Sequence, residues 1–540
     1  CKTWGMDGIE PNFVNALCPD NLERVTDVLD GAFERMPALM NAGIRSIING
    51  PITYTIDGAP LVGKIPGKEN AFCIIGLRAG LGEGGGHGWL LAQQIVHGEA
   101  CYDTWCLDPR RFTSHTNVEM TSLKAIEDYQ NEFRFHFPHE HRPAARPAKT
   151  TSLTAVMAAK NASFTVVNGW ERVEYFKPSE DFQPSLSFHF DETFDIVARE
   201  VSNVRDNVGL CEVNGFNRFE ITGSDSQSFI DRLFCGNITH KPGRVGLGYL
   251  LNDFGMVKSE ATIANIPASD RGPNRMWYGS AAASEFHDMD WLSQHINPDE
   301  NVKIKSLTND QTILIVAGPK AREVISACSR EDWSKEAFPW LSVRECFIGF
   351  SAATVMSVSF SGELAYEVHV PNSSLYAAYL SLSEVGKEYG MKLFGSRAVE
   401  SMRMEKGFLV WKSDLLTEFD PFETGLDRFV NLNKDNFIGK ADLEKRFKNG
   451  PNQKLVCLSI DCNHAPAHAG ASLMEDGKVI GTITSGEWGH RVNLNLAYAF
   501  VNPDKSKPGT KMMLDLLGEM IQVEVIPQGP YDSSYSRILT

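Results

Sequence analysis

"SFSGELAYEVHVP" occupies residues 359–371. Gly362 reads as a turn, and the residues after it as a β-strand carrying Tyr366 and Glu367. A carboxylate on an otherwise apolar strand is unusual, because burying it unpaired is costly. A strand that alternates in and out would instead leave it solvated. "LLNDFGMVKSEATI", residues 250–263, has the same form, with a turn over Asn252–Gly255 and then a strand carrying Glu260. Two strands of this kind, each led by a glycine turn, are the first candidates for a site.

Outward from them the grammar stays mixed. "RFEITGSDSQSFIDRLF" (218–234) predicts strand, turn and a helix capped by Ser224 or Asp225. "QTILIVAGPKAREVISA" (311–327) repeats this, with its turn at Gly318-Pro319. "VESMRMEKG" (399–407) predicts a helix, with Arg403 and Glu405 as an ion pair. From about residue 452, alternating strands with turns at Asp476-Gly477, Gly486, Gly489 and Pro508-Gly509 predict a small all-β module. Residues 107–165 are different. "RFHFPHEHRPAARPAKTTSLT" (134–154) is rich in proline and arginine and reads as a connector or small linking domain.

Near the start, "NLERVTDVLDGAFERMPALM" (21–40) has helical spacing of Leu22, Val25, Leu29, Phe33 and Met36, with Asp20 or Asn21 as cap. "NAFCIIGL" (70–77) predicts a short strand. "IIGLRAGLGEGGGHGWLLAQQIVHGE" (74–99) then packs six glycines into residues 80–88. A glycine loop followed by a helix from about Trp89, ending at Gly98, is expected. Bare amides before a helix are a seat for phosphate. A tight structural crossover accounts for the same glycines. The βαβ context and acidic ribose ligand of a dinucleotide fingerprint are not visible.

The 540 residues allow several domains, and 42% hydrophobic with 22% charged residues is ordinary globular composition. A net charge of −16 argues against binding nucleic acid or anionic membranes through bulk charge. No run of about 18 apolar residues predicts a membrane span. Eleven scattered cysteines read as reduced thiols. His136, His139 and His141 have metal-like spacing but lie in the proline-rich connector, so a polar tract is expected and no metal is assigned. Cys101 with Cys106, and Cys457 with Cys462, lack matching second pairs and read as small side chains. The chain opens on "CKTWGMDGIEP", as a piece that begins inside a domain would.

Taken in order, these stretches resemble the dimethylglycine and sarcosine dehydrogenase family. "NGPITYTIDGAPLVG" (49–63), the glycine segment and "CYDTWCLDPRRF" (101–112) are similar to the last part of its FAD domain. The two carboxylate strands, "ILIVAGPKAREVI" (313–325), "VESMRMEKGFLVWKSDL" (399–415) and "DPFETGLDRFV" (420–430) are similar to its folate-binding half, which is like the glycine cleavage T-protein. "GTITSGEWGHRVNLNLAYAFV" (481–501) is similar to that half's terminal barrel. The implied architecture is α/β and α+β multidomain. Residues 1–106 would be the C-terminal remnant of an FAD-binding domain of the D-amino-acid-oxidase type, and 107–165 a linking domain. Residues 166–445 would form an aminomethyltransferase-like α+β folate domain, and 446–540 a β-barrel.

The resemblance implies oxidative demethylation of an N-methylglycine by FAD, with the one-carbon unit passed to tetrahydrofolate. It implies FAD against Gly80, Gly84, Gly85, Gly86 and Gly88, with Asp57 and Pro60 beneath, the pyrophosphate-binding unit lying upstream, and "TWGMDGIEP" (3–11) lending a strand to the substrate pocket. Glu260 falls at the family's catalytic acid and a folate contact. Glu367 falls at the carboxylate that reads the pterin, and Phe360 at a pterin wall where some members carry Tyr. Val399 stands where stand-alone aminomethyltransferases have an arginine near folate. Electrons would pass to an electron-transfer flavoprotein or oxygen. The expected location is the cytoplasm, or the mitochondrial matrix in a eukaryote. Two alternatives stay open: a stand-alone folate-dependent aminomethyl or methyl transferase, and a non-catalytic relative like the regulatory subunit of pyruvate dehydrogenase phosphatase. The glycine segment speaks against the first, and the two carboxylates against the second.

Overall fold

The computed structural model describes residues 13–14, 16–281 and 283–540. The stretch 3–11 expected to line a substrate pocket lies outside the described residues. Among the described residues the first α-helix is α1 (Thr26–Arg35), whose apolar residues are all partly or fully exposed; a two-stranded pair follows, β1 (Leu61–Lys64) with β2 (Phe72–Ile75). Helix α2 then runs over Gly80–His97 and stops at Gly98, which takes φ +80°, a left-handed cap suited to glycine. The expected glycine loop is helix. Gly80, Gly82, Gly84, Gly85, Gly86 and Gly88 form the first half of α2, which starts nine residues before Trp89. Glycine permits a helix although it does not favour one, and the amides of Gly82 and Glu83 both bond to the carbonyl of Ala79. The connector also holds more structure than its composition suggests. Helix α3 (Val118–Asn131) is capped by Asn117, whose side chain accepts the Met120 N–H at 2.8 Å.

Past a short helix α4 (Thr154–Ala158) comes the hairpin β3 (Ala162–Val167) and β4 (Trp170–Phe176). The central unit then alternates strands and helices: α5 (Phe194–Asp206), β5 (Gly209–Val213), β6 (Asn217–Thr222), α6 (Ser226–Leu233), β7 (Val245–Leu251), β8 (Val257–Ile266), β9 (Arg275–Ser280), α7 (Glu285–Gln294), β10 (Lys303–Ser306), β11 (Gln311–Ala317), α8 (Ala321–Cys328), β12 (Val343–Ile348), β13 (Ser351–Met356), β14 (Ala365–Pro371), α9 (Leu375–Gly386), β15 (Lys392–Leu393) and α10 (Ser396–Lys406). Helix α6 starts at Ser226 after Asp225, but the Asp225 carboxylate accepts the Asn301 N–H at 2.8 Å and does not cap it.

Two sheets result. One has the order β10-β6-β9-β8-β7, the other β12-β13-β14-β11-β5-β15. The first packs Phe219, Ile221, Ala261, Ile263 and Tyr278 against Phe229, Ile230 and Leu233 of α6. The second packs Leu314, Val316, Tyr366 and Val368 against Val324 and Ile325 of α8 and Leu382 of α9. In each strand the alternate residues point the other way, and that period places Glu260 and Glu367 off these cores.

After α11 (Lys440–Asn449), strands β16 (Lys454–Ile460), β17 (Ser472–Glu475), β18 (Lys478–Gly489), β19 (Leu494–Val501), β20 (Lys511–Leu516) and β21 (Glu519–Ile526) close a six-stranded barrel. Its interior holds Leu458, Leu473, Ile483, Ala497, Leu514 and Val523. Closure through β16 and β21 leaves no free sheet edge.

Candidate functional site

Glu260 lies on β8 directly opposite Tyr249 of β7, and the Tyr249 hydroxyl donates to its carboxylate at 2.7 Å. Burial pushes the Glu260 carboxyl up to about 7, against the lowering effect of that bond. The Tyr249 phenol is pushed well above its ordinary value, first by burial and then by the neighbouring carboxylate, so it remains a donor. Two residues along β8, on the same face, Thr262 stands opposite Gly279 of β9, which in turn stands opposite Arg218 of β6. A methyl on Gly279 would lie 2.0 Å from Arg218 Nη1, so any larger residue there would have to displace the guanidinium. The bare backbone lets the guanidinium lie across the strand.

Arg218 reaches out of its own sheet. Its Nη2 donates to Nδ1 of His369 on β14 at 3.2 Å, and His369 Nε2 lies 3.1 Å from the Glu367 carboxylate. The Trp277 ring of β9 packs edge-on to His369 at 5.8 Å. Burial pushes Glu367 up, but the His369 hydrogen bond and the Arg218 charge outweigh it and hold the carboxyl below its ordinary range. Glu367 is still 28% exposed at its side chain, whereas His369 is buried. The two expected carboxylates therefore belong to different sheets, which meet through the Arg218–His369 contact among others; Glu260 is bonded to Tyr249 and Glu367 to His369. One sits in the range of a proton exchanger near neutral pH and the other is a fixed anion.

Phe360 is 39% exposed, and its ring stacks on Phe408, just past α10, at 5.8 Å and 16°. Val399 packs into the apolar layer with Ile315, Phe394 and Met402. The expected pair of Arg403 with Glu405 does not form. Arg403 bonds Asp414 at 2.9 Å and also Glu400, whereas Glu405 bonds the fully buried Arg205 at 2.6 Å. Two residues apart on a helix, the side chains point to different faces. Arg205 also binds Glu363 at 3.0 Å and lies 3.9 Å over the Tyr531 ring.

The glycine helix has another character. A methyl added at Gly80, Gly84, Gly85, Gly86 or Gly88 would meet nothing within 4 Å, and α2 has no buried residue. Asp57 is held by Arg111 through two bonds of 2.8 Å. The chain after α2 then docks on the central unit. Glu99 pairs with Lys258, two residues before Glu260 on β8. Asp103 pairs with Lys412 and accepts from the Thr417 hydroxyl at 2.7 Å and amide at 3.0 Å. Trp105 packs on Trp411 at 5.0 Å and His287 at 5.6 Å. Arg110 joins Asp108 at 2.7 Å and Asp290 at 2.8 Å. A cleft of about 630 Å³ lies apart from these groups, lined by Pro319, Arg322, Glu323, Tyr389 and Thr540. It contains neither Glu260 nor the Arg218–His369–Glu367 chain. Among the described residues no His, Cys, Asp and Glu group could hold a metal ion, and no helix is long and apolar enough to cross a membrane.

Sequence reading misses Tyr249, Arg218 and the two docking tryptophans, whose roles depend on which strands and segments become neighbours. His369 had a signal: two residues after Glu367, it must share its strand face.

Residues 153–434, more than half of the chain, match the GCVT N-terminal domain. The chain belongs to the glycine cleavage T-protein family. Residues 453–532 match the glycine cleavage T-protein C-terminal barrel domain, and 97–151 the FAD dependent oxidoreductase central domain. Rattus norvegicus mitochondrial dimethylglycine dehydrogenase is 32% identical over 97% of this chain and 61% of its own length. Mus musculus mitochondrial sarcosine dehydrogenase is 26% identical over 95% of the chain and 61% of its own length. The chain thus spans about three-fifths of these relatives. The crystal structure of the glycine cleavage system aminomethyltransferase T from Bartonella henselae superimposes with a TM-score of 0.62 at 20% identity, covering 71% of this chain and 98% of that one. That last likeness is one of fold. For this family member, the order of oxidoreductase, T-protein and barrel segments is the order read from the sequence.

Proposed function

We propose that this chain serves the oxidative demethylation of an N-methylglycine, dimethylglycine or sarcosine, with transfer of the one-carbon unit to tetrahydrofolate. The observation that carries the reading is the placement of Glu260, raised to about 7, and Glu367, held anionic, on two sheets of a T-protein fold that meet through Arg218 and His369. In this reading Glu367, ionised, accepts paired N–H bonds from the pterin amino group and ring. Glu260, poised near 7, holds or releases a proton at the folate N10 or at the substrate imine. Phe360 walls the pterin with its exposed ring, and carries no hydroxyl to bond it.

The bare first half of α2 fits a flavin: glycines whose Cβ positions are open allow backbone to approach a planar ring, and the helix N-terminus at Gly80 favours developing negative charge. Gly80, Gly84, Gly85, Gly86 and Gly88 are the residues assigned to it. When bound, FAD supplies the hydride chemistry, with electron-transfer flavoprotein or oxygen as acceptor. The domain limits 1–106, 107–165, 166–445 and 446–540 belong to the same proposal. So does a location in the mitochondrial matrix, or in the cytoplasm of a bacterium.

Calorimetric titration with tetrahydrofolate, beside Glu367→Ala, tests the folate reading. Saturable binding weakened by about 1–3 kcal/mol in the variant is expected for a lost charged hydrogen bond. Failure of the folded wild-type chain to bind would overturn it and leave the non-catalytic reading.

A further inference from the structure

The Arg218–His369–Glu367 chain has a direction, set by what each group is able to do. A guanidinium only donates, so the ring nitrogen it meets, His369 Nδ1, must be the acceptor. A neutral imidazole then carries its single proton on Nε2, the nitrogen 3.1 Å from Glu367. Burial, with the Arg218 charge, pushes His369 down to about 4, so it is neutral at physiological pH. We propose that His369, locked by Arg218 as its Nε2–H tautomer, is a positioning residue that keeps one Glu367 oxygen engaged and presents the other to the ligand. This deepens the folate reading of the same site and rests on it.

The surroundings leave little else for the role. On β11 the residues opposite Glu367 and His369 are Ile315 and Ile313. On β13 they are Met356 and Thr354. From the facing sheet come Trp277, uncharged, and Arg218. Arg218 and His369 are thus the charged or titratable groups acting on Glu367. Without the His369 donor, burial would act on Glu367 with less opposition. Its carboxyl would rise toward neutrality and lose its acceptor character as pH falls.

The test is anaerobic titration of the full 540-residue chain with tetrahydrofolate from pH 5.5 to 8.5, using His369→Gln, His369→Asn, Arg218→Met and Glu367→Ala. A glutamine amide reaches the place of Nε2 and keeps a donor there, whereas asparagine reaches only Nδ1. His369→Asn should weaken binding about 10-fold at pH 7. It should also make affinity fall several-fold further by pH 5.5, relative to wild type. His369→Gln should stay within about threefold of wild type, with a profile parallel to it. Arg218→Met keeps the imidazole but frees its tautomer, and should weaken binding at pH 8.5, where the ring is neutral and Nε2 no longer has to carry the proton. Equal behaviour of the Gln and Asn variants, or a His369→Asn profile parallel to wild type together with wild-type binding by Arg218→Met at pH 8.5, would overturn the proposal. Weakening by Glu367→Ala with none from His369→Asn would overturn it alone. A wild-type affinity in Glu367→Ala would remove the folate reading beneath it.

Discussion

The inter-sheet face and the glycine helix solve opposite problems. On the face, Arg218, His369 and Glu367 are bonded in a chain, and Glu260 is bonded separately to Tyr249. On α2, backbone is left bare, and the added-methyl positions at its glycines are open space. The first region is held by its own partners. The second has nothing of the described chain against its glycine face. A polar site inside a protein must satisfy itself before it can satisfy a substrate. A backbone cradle costs only helix propensity.

The sharpest way to break this contrast is at the buried charges. Arg205→Met would strand Glu363 and Glu405, whose side chains are 1% and 0% exposed. A loss of about 3–5 kcal/mol is expected by chemical denaturation. A loss under about 1 kcal/mol would mean that this network is not what holds α5 to α10.

Glu260→Gln probes the face through pH. The folded carboxyl titrates near 7 against an ordinary 4.5, a raised value. Wild type therefore holds that stability below about 4.5 and loses it as pH rises through 7, by on the order of 3 kcal/mol. The glutamine variant lacks this term, so its stability relative to wild type should improve from pH 4.5 to 8. Glu200 and Glu212, also raised to about 7 by burial, titrate in both proteins and cancel. An unchanged difference across that range would place the Glu260 titration elsewhere.

Asp103→Asn acts between the two regions, at the segment that docks on the central unit. It removes the charge paired with Lys412 and should cost about 2 kcal/mol at pH 7. Faster hydrogen exchange should be confined to residues near 97–111 and 411–418. The Asp103 carboxyl is held well below its ordinary range, because its bonds to Lys412, Thr417 and Trp105 outweigh burial. The penalty should therefore fade as pH falls below about 4. Protection unchanged at both segments would show that Asp103 does not hold them together.

The smallest effect belongs to the glycines. Gly84→Ala or Gly86→Ala should stabilise the chain by about 0.5–1 kcal/mol, since the sites are helical with room for a methyl. A marked loss would show that these glycines are needed by the fold, and would remove the argument that they are kept for a ligand.

Much of this was legible in the residues. Period-two patterning and turn glycines placed Glu260 and Glu367 on strands, Gly98 ended α2, and evenly spaced turns announced the barrel, because each is a local matter of backbone freedom and alternation. The same local reading took six glycines for a loop, where the backbone they leave free is wound into a helix. It also paired Arg403 with Glu405 by proximity in sequence, where helix geometry sends them to different partners. What only the tertiary structure decided were the bonds between distant segments. Arg218 and His369 are 151 residues apart, Arg205 and Glu405 200, and Asp103 and Lys412 309. No local pattern encodes such pairs. They follow from which strand lies beside which, and from the cost of burying any of these charges alone.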